Sequence, residues 1–271
     1  MLLRNKNAVI YGGGGAIGGA VARVFAREGA NVFICGRTQS RLDVVAADIA
    51  AMGGVVETAV LDAFDQQAVQ AHADAIAAKT GHIDIAFNAV SVVHDQGTML
   101  RDLSLEDFML PVDGFLRTLF ITSKAVARHM GGKHPGVILT ISTPGSKMAA
   151  PGVLGHCVAC AGTEAFSRVL AAELAPENIR VVCIRSHAIA DAPAAGSYTK
   201  DVFATQASYK EAGGEQSVAE WLPGSPMAQG TMLKRLPMLS EVAETAAFLA
   251  SDRAGAMTAA IVNVSCGAIV D

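Results

Sequence analysis

The sequence predicts an α/β protein built on a doubly wound parallel sheet, with about seven strands and helices on both faces. Short runs rich in Val and Ile alternate with Ala-rich amphipathic stretches along the whole chain, a pattern typical of repeated strand–helix units. No Pro/Ser-rich linker or block of like charge interrupts the alternation. With 271 residues, 51% of them hydrophobic, the chain is long enough to bury one large core. We therefore expect a single domain that covers residues 1–271.

Seven strands are predicted where β-branched and other apolar residues form runs bounded by turn residues. These are residues 8–11, 32–35, 55–61, 83–87, 136–141, 179–184 and 260–264. Helices fill the intervals between them. In the first interval Ile17, Val21 and Phe25 fall on one helical face that packs against the sheet, while Arg27 faces water. Gly29 follows as the helix stop.

The segment of residues 188–236 departs from this alternation. Pro193, Pro223, Pro226 and Pro237 stand in or next to it among glycines and short helical fragments. A long irregular segment inside a compact domain usually serves as a lid or a binding loop. We expect this one to close over the active site and to supply substrate contacts.

Composition narrows the range of partners. The net charge is −4 and the sequence pI is ≈ 6.0, so no broad positive surface favours nucleic acid or an anionic membrane. The first residues run straight into a strand without the apolar stretch of a signal peptide, and no segment is long and apolar enough to span a membrane. We expect a cytoplasmic protein that binds a small molecule.

A glycine cluster, YGGGGAIG at residues 11–18, lies between the first strand and the first helix. Glycines at such a turn let a pyrophosphate approach backbone N–H groups, and the helix N-terminus adds its positive end. Glycine clusters also occur in ordinary flexible turns, but one that opens a strand–helix–strand unit is typical of a Rossmann dinucleotide site. The residues expected against the cofactor are Gly12, Gly14, Gly15, Ile17 and Gly18.

The end of the second strand distinguishes the two nicotinamide cofactors. A carboxylate there would bind the ribose 2′-hydroxyl of NAD(H), whereas this chain has Cys35, Gly36 and Arg37. A guanidinium suits the 2′-phosphate of NADP(H), so NADP(H) is expected and NAD(H) is the less favoured cofactor. The alternative is that Arg37 is an ordinary solvated residue at a strand end.

Several motifs together resemble the short-chain dehydrogenase/reductase family. The glycine loop resembles its TGxxxGxG motif, with Tyr11 for Thr and Ala16 for the middle Gly. Asp62 matches an aspartate that contacts adenine, and Asn88 with Ala89 matches the end of the NNAG motif. Similar C-terminal motifs extend the resemblance over essentially the whole chain.

This resemblance implies an NAD(P)(H)-dependent oxidoreductase with the Rossmann fold. Cofactor-binding roles carry over to Asp62 with its neighbour Ala63, and to Asn88 with Ala89. The family commonly forms dimers or tetramers through its fourth and fifth helices, here about residues 105–130 and 152–175. A homodimer or homotetramer is therefore expected.

The resemblance fails at the residues that the family uses for catalysis. The family's proton-donating Tyr aligns with His156, and the Lys four residues later aligns with Cys160. The usual Ser falls on Thr143, with Ser142 beside it, and the relay Asn falls on Phe115. No other tyrosine restores the pair, because none has a Lys four residues further on.

Three interpretations of these changes remain open. His156 is a replacement acid, with Thr143 or Ser142 orienting a small carbonyl, imine or alcohol substrate. Alternatively, the chain is a catalytically degenerate NADP(H)-binding protein or partner subunit. The third interpretation is a metal held by His156 and Cys160, which lie four residues apart on one helix.

Interpretations that need no catalytic role also apply to these residues. Cys157 or His187 would have to complete a metal site, and no second ligand pair has the spacing that zinc needs, so no metal is expected. His156 is equally well explained as a satisfied core histidine, and Cys160 as a small core residue. His94 follows the fourth strand near the mouth of the cleft, where a substrate contact is possible.

Overall fold

All seven predicted strands are confirmed, and they pair in parallel within one sheet in this computed structural model. The structure describes residues 1–205, 207–211 and 216–270. The observed bounds differ from the predicted ones by at most two residues. The strands are β1 (Asn7–Tyr11), β2 (Asn31–Gly36), β3 (Val55–Val60), β4 (Ile85–Asn88), β5 (Gly136–Ser142), β6 (Ile179–Ser186) and β7 (Ala260–Val264).

The direction in which successive strands are added reverses at β1. The order across the sheet is β3-β2-β1-β4-β5-β6-β7. Tyr11, the last residue of β1, therefore pairs with Cys35 of β2 on one side and with Asn88 of β4 on the other. The connections that leave β1 and β4 diverge at this point, which opens a crevice at the carboxyl ends of the strands.

Helices cover both faces of the sheet. The six long ones are α1 (Ala16–Arg27), α2 (Gln39–Ala51), α3 (Gln66–Thr80), α4 (Leu105–Ala127), α5 (Leu154–Leu174) and α10 (Leu239–Ala250). Apolar residues of α1, α2 and α10 share one core cluster with the sheet, and those of α3, α4 and α5 share a second on the opposite face. In α1, Val21 and Phe25 are buried and Gly29 has φ +93°, as the helical pattern predicts.

The described part of residues 188–236 is more ordered than an irregular loop. It contains four short helices, α6 (Thr199–Thr205), α7 (Ala207–Glu211), α8 (Val218–Trp221) and α9 (Pro226–Gly230). Residues 206 and 212–215 of this segment lie outside the described residues. The helices are too short to stand alone, and they pack on an apolar cluster of their own. That cluster comprises Ala190, Val202, Phe203, Val218, Trp221, Leu222, Ala228 and Leu236.

None of the helices in residues 1–205, 207–211 and 216–270 is both long enough and apolar enough to cross a membrane.

Candidate active site

Close backbone packing leaves no room for a side chain at Gly12, in the turn between β1 and α1, or at Gly18, in the first turn of α1. A Cβ on Gly12 would lie 2.6 Å from the Ala89 carbonyl oxygen, and one on Gly18 would lie 2.3 Å from the Gly12 carbonyl oxygen. Gly12 also has φ +79°, which favours glycine. Helix α1 begins directly afterwards at Ala16, with an extended Gly15 as its N-cap. Its first-turn N–H groups form a cradle that fits a pyrophosphate.

An open groove of about 150 Å³ continues from this turn along the carboxyl ends of β2 and β3. Arg37, Thr38 and Arg41 line one side of it, and all three are exposed. Arg41 lies in the first turn of α2, and the sequence analysis missed it because no motif marks that position. Two guanidinium groups therefore face this part of the groove, where an anionic group would find charged hydrogen-bond donors.

The opposite side of the groove is formed by the turn after β3. Asp62, Ala63 and Phe64 line it. Asp62 Oδ1 accepts a hydrogen bond from the Phe64 N–H (3.0 Å), which orders the turn. With the glycine cradle, these two walls fit the adenosine end of an NAD(P)(H) molecule.

The loop after β4 is held against β1 and α4. Asn88 is buried, and its Nδ2 donates a hydrogen bond to Thr122 Oγ1 (2.9 Å) while its Oδ1 accepts one from the Val90 N–H (3.0 Å). The Ala89 N–H donates to the Tyr11 carbonyl oxygen (2.9 Å). Asn88 and Ala89 therefore shape the floor of the crevice.

Three side chains meet at the carboxyl end of β5. Thr143 follows β5, and its Oγ1 accepts a hydrogen bond from the Gly145 N–H (3.1 Å) within the 3₁₀ turn Pro144–Ser146. His156 and Cys160 lie one turn apart on the same face of α5. Thr143 Oγ1 is 3.0 Å from His156 Nε2 and 3.2 Å from Cys160 Sγ. The structure thus brings together three of the four residues that the sequence suggested for catalysis.

Ser142, the fourth, faces a different set of partners. Its Oγ donates to Glu164 Oε1 (2.7 Å), and Ser146 Oγ donates to the same oxygen (2.6 Å). Arg185 completes this cluster, with Nε 2.7 Å from Oε1 and Nη2 2.8 Å from Oε2 of Glu164. Burial alone would raise the pKa of Glu164, but hydrogen bonds from Arg185 and the two serines hold it below its ordinary value. The cluster anchors the turn that carries Thr143.

Two imidazoles extend the hydrogen bonding away from Thr143. His94 Nε2 is 3.0 Å from His156 Nδ1, and His94 Nδ1 is 2.8 Å from the Val92 carbonyl oxygen. Because a carbonyl only accepts, we assign the hydrogen to His94 Nδ1, so that its Nε2 accepts from His156 Nδ1–H. Gln96 Nε2 donates a second hydrogen bond to His94 Nε2 (3.1 Å). His156 Nε2 is then an acceptor, and the Thr143 hydroxyl donates to it.

Burial keeps these groups uncharged at neutral pH. Burial, and then the neighbouring His94, lowers the pKa of His156 to about 4. The pKa of His94 is also lowered, mainly by burial. Burial raises the pKa of the Cys160 thiol to about 11. His156 Nε2 is consequently unprotonated at neutral pH and accepts the hydrogen bond from the Thr143 hydroxyl.

Aromatic rings surround the histidine pair. Phe115 of α4 meets the His94 ring edge-on, with 5.6 Å between ring centroids. Tyr198 comes from the 188–236 segment, and its ring centroid lies 6.1 Å from that of His94. Burial, followed by nearby Cys160, raises the pKa of Tyr198 to about 12, against a hydrogen bond with the Ser91 side chain that lowers it. The segment therefore places the protonated phenol of Tyr198 beside His94.

A family comparison agrees with this arrangement of sheet, glycine turn and cleft. Residues 6–202 match the family model described as short chain dehydrogenase. The chain belongs to the short-chain dehydrogenase family. Members of this family are oxidoreductases that bind NAD(P)(H).

Relatives of the short-chain dehydrogenase family align along the full length of the chain. It is 30% identical over 267 residues to a 3-oxoacyl-(acyl-carrier-protein) reductase of Chlamydia muridarum, a match that covers 98% of each protein. A short-chain type dehydrogenase/reductase of Mycobacterium marinum has 26% identity and a TM-score of 0.79, covering 99% of this chain and 97% of that one. An NAD⁺-bound xylitol dehydrogenase, at 21% identity, shares the fold with a TM-score of 0.85 and covers 98% of this chain and 100% of that one.

Within this short-chain dehydrogenase cleft, sequence reasoning identified some residues and missed others. It noted His94 only as a residue near the cleft mouth, because no sequence pattern pairs His94 with His156, which lies 62 positions further on. It missed the placement of Tyr198 for the same reason. Arg41 had a weak signal, since it is a second arginine only four positions after Arg37. Over the part of the chain that the structure describes, no three His, Cys, Asp or Glu side chains form a group that could hold a metal.

Proposed function

We propose that the protein is an atypical NADP(H)-dependent oxidoreductase of the short-chain dehydrogenase type, acting on a small carbonyl, imine or alcohol substrate without the family's Tyr–Lys pair. The observation that carries this proposal is the hydrogen-bonded chain from Thr143 through His156 to His94. That chain offers a substrate a hydroxyl and an imidazole nitrogen at the positions where the family resemblance places its Ser and Tyr.

Arg37 and Arg41 support NADP(H) over NAD(H). The end of β2 carries no carboxylate that would select a free 2′-hydroxyl, and two exposed guanidinium groups stand beside the groove. When bound, the cofactor supplies or accepts the hydride. The side chains of the site then have to orient the substrate and move one proton.

The low pKa of His156 limits how this ring can take part in proton transfer. Its Nε2 accepts a hydrogen bond from Thr143, so a substrate hydroxyl can use this nitrogen only after displacing the Thr143 hydroxyl. As an acid the ring must first be protonated, and with a pKa of about 4 about one molecule in a thousand is protonated at pH 7. The same low pKa makes the ring a weak base, so the site suits an acceptor that needs little acid assistance, such as an iminium or a conjugated carbonyl.

The competing proposal is a degenerate NADP(H)-binding protein or partner subunit. It draws on the same low pKa, because a buried neutral imidazole beside a neutral Cys160 thiol is also what a site without proton chemistry would contain. The two proposals share the cofactor and differ in turnover.

The first prediction concerns cofactor choice. NADPH should bind at least about tenfold more tightly than NADH, because a charge-assisted contact to phosphate contributes about 1.5 to 3 kcal/mol. Arg37→Ala should erase most of that preference, and Arg41→Ala should reduce it. Fluorescence titration measures both cofactors. Arg253→Ala, at another exposed arginine, is the matched control, and equal binding of NADPH and NADH to the unmodified chain would contradict the assignment.

The second prediction separates the enzyme from the degenerate binder. A panel of small alcohols with NADP⁺, and of ketones and cyclic imines with NADPH, should reveal turnover by the native chain. His156→Phe should lower kcat by 10²- to 10⁴-fold, the usual range for a lost general acid or base, with cofactor affinity nearly unchanged. His134→Phe, at an exposed histidine, should keep native kcat. Absence of any turnover despite clean NADPH binding would favour the degenerate binder.

A further inference from the structure

His94 and His156 meet edge to edge through one hydrogen bond. His94 Nε2 lies 3.0 Å from His156 Nδ1, the ring planes differ by 10°, and the ring centroids are 5.1 Å apart. That separation is close to the sum of the N···N distance and the two ring radii, so the N–H of one ring points along the in-plane lone pair of the other. Phe115 stands nearly perpendicular to both rings, at 89° and 81°, and restricts their rotation.

The loop that carries His94 is fixed to the chain just before α5. The Gly97 N–H donates to the Gly152 carbonyl oxygen (2.7 Å), two residues before α5 begins. A Cβ on Gly152 would lie 2.9 Å from the Gly97 carbonyl carbon, so the two backbones meet without room for a side chain. His94 itself is buried. The segments that carry His94 and His156 are therefore held in a fixed relation to each other.

A backbone carbonyl sets the direction of the hydrogen bonds from the far end of the chain. The Val92 carbonyl oxygen can only accept, so the hydrogen between it and His94 Nδ1 (2.8 Å) belongs to His94. In the opposite tautomer two acceptors would face each other in a buried place with no hydrogen between them. Burial also lowers the pKa of His94, which opposes a hydrogen on both nitrogens.

The direction set at His94 continues to Thr143. His156 donates through Nδ1 to His94, so its Nε2 is bare, and the Thr143 hydroxyl directs its hydrogen to that nitrogen (3.0 Å). Neither of the two groups that the proposed function offers a substrate has a hydrogen left to give it. A neutral carbonyl needs such a hydrogen, because negative charge builds up on its oxygen as hydride arrives. An iminium ion does not, because hydride cancels its positive charge.

We infer that His94 is a positioning residue, which holds His156 in the Nδ1–H tautomer and thereby makes the site prefer an iminium ion to a neutral carbonyl. This inference rests on the proposed function and narrows its substrate class. The iminium carbon takes a hydride from the bound reduced cofactor, the C=N electron pair moves to the nitrogen, and a neutral amine forms. The protein neither gives nor takes a proton in that step.

The first test observes the tautomer directly and needs no substrate. The chain has seven histidines, and in protein labelled with ¹⁵N-histidine the variant His156→Phe identifies the ring resonances of position 156. Native His156 should show a protonated Nδ1 and a bare Nε2. An Nε2–H tautomer in the native chain would overturn the inference without any variant of His94.

Two variants of His94 separate its acceptor from its bulk. His94→Phe keeps an aromatic ring without an acceptor, so the hydrogen of His156 should move to Nε2, where Thr143 Oγ1 can accept it. His94→Gln keeps an acceptor oxygen of similar reach and should retain the native tautomer. His134→Phe, at an exposed histidine, is the matched control and should change nothing at position 156. Retention of the Nδ1–H tautomer in His94→Phe would overturn the inference.

The second test measures the preference between two substrates of similar shape with NADPH. One is an N-methyl dihydroisoquinolinium ion, a permanently charged iminium, and the other is the neutral ketone tetralone. The ratio of their kcat/KM values should favour the iminium in the native chain. His94→Phe should lower that ratio at least about tenfold, because the freed Thr143 hydroxyl can donate to the ketone oxygen. Adding Thr143→Val should restore the ratio, and an unchanged ratio in His94→Phe would overturn the inference.

The two tests separate this inference from the proposed function. A chain that turns over neither substrate but shows the tautomer change in His94→Phe has lost the proposed function and kept the positioning role of His94. A chain that reduces both substrates with native His156 in the Nε2–H tautomer has kept the function and lost the inference.

Discussion

The imidazole of His156 makes the folded chain sensitive to acid. Its pKa falls from 6.5 to about 4 on folding, so the unfolded chain binds a proton that the folded chain resists. The contribution of this ring to the free energy of unfolding is therefore fully present above pH 6.5, and it is lost as the pH falls towards 4. Each pKa unit corresponds to about 1.4 kcal/mol, which sets an upper limit of about 3 kcal/mol for this one ring.

The third prediction follows from that shift. The free energy of unfolding, measured by urea denaturation between pH 7 and pH 4.5, should fall more steeply for the native chain than for His156→Phe. Part of the slope should survive in the variant, because the pKa of His94 and that of His187 are lowered as well. Parallel curves for the two proteins would show that His156 is as easily protonated in the folded chain as in the unfolded one.

At the scale of secondary-structure elements, periodicity carried the prediction of the sheet. Strands such as β1 are buried along their whole length, and such runs of apolar residues are visible without a structure. The glycine turn between β1 and α1 could also be predicted from the sequence, because the backbone segments there approach so closely that only glycine fits. The hydrogen-bond partners of Ser142 could not be predicted from the sequence. Alternation along a strand places neighbouring side chains on opposite faces of the sheet, but it does not identify the residues that pack on each face.

The short helices of residues 188–236 were the least predictable elements. Each is too brief to show a helical period, and their apolar cluster joins residues as far apart as Ala190 and Leu236. Only the packed structure reveals that the segment has a small core and that it places Tyr198 beside His94. The expectation of a lid over the substrate remains a prediction.

The fourth prediction tests that lid. Peptides covering Thr199–Thr205 and Pro226–Gly230 should exchange amide hydrogen faster than peptides from β5 in the free protein, since a small cluster opens at lower free energy than the central sheet. NADPH together with cyclohexanone should slow their exchange, while β5 serves as the internal reference. Helices already as protected as β5 without ligand, and unaffected by it, would argue against a lid.

At the scale of the whole molecule, α4 and α5 leave apolar side chains in solvent. They are Leu105, Met109, Leu110 and Phe120 on α4, and Leu154, Val158 and Val169 on α5. The two helices pack against each other, so these residues belong to one side of the molecule. Exposed apolar surface of this kind commonly marks a contact between subunits, and the family commonly assembles through the same two helices.

The fifth prediction is therefore a homodimer or homotetramer, measured by light scattering. Val169→Glu should shift the mass towards the monomer, because a carboxylate would lose its hydration in the contact. Val44→Glu on α2 is the matched control, since Val44 and Val169 are each 60% exposed, and it should leave the mass unchanged. A native chain that is monomeric at micromolar concentration would contradict this prediction.

The ion pair between Glu164 and Arg185 also limits how relatives of this chain can diverge. Each partner neutralises the other in a place that water hardly reaches, with 4% and 1% of their surfaces exposed. Replacing one of them strands a buried charge, which typically costs about 3 to 5 kcal/mol, whereas replacing both with apolar residues of similar volume is often neutral or stabilising. Natural drift at these two positions should therefore be correlated, with both charges kept or both lost. We therefore expect these two positions, 21 residues apart in sequence, to change together, because the turn that carries Thr143 is anchored on the pair.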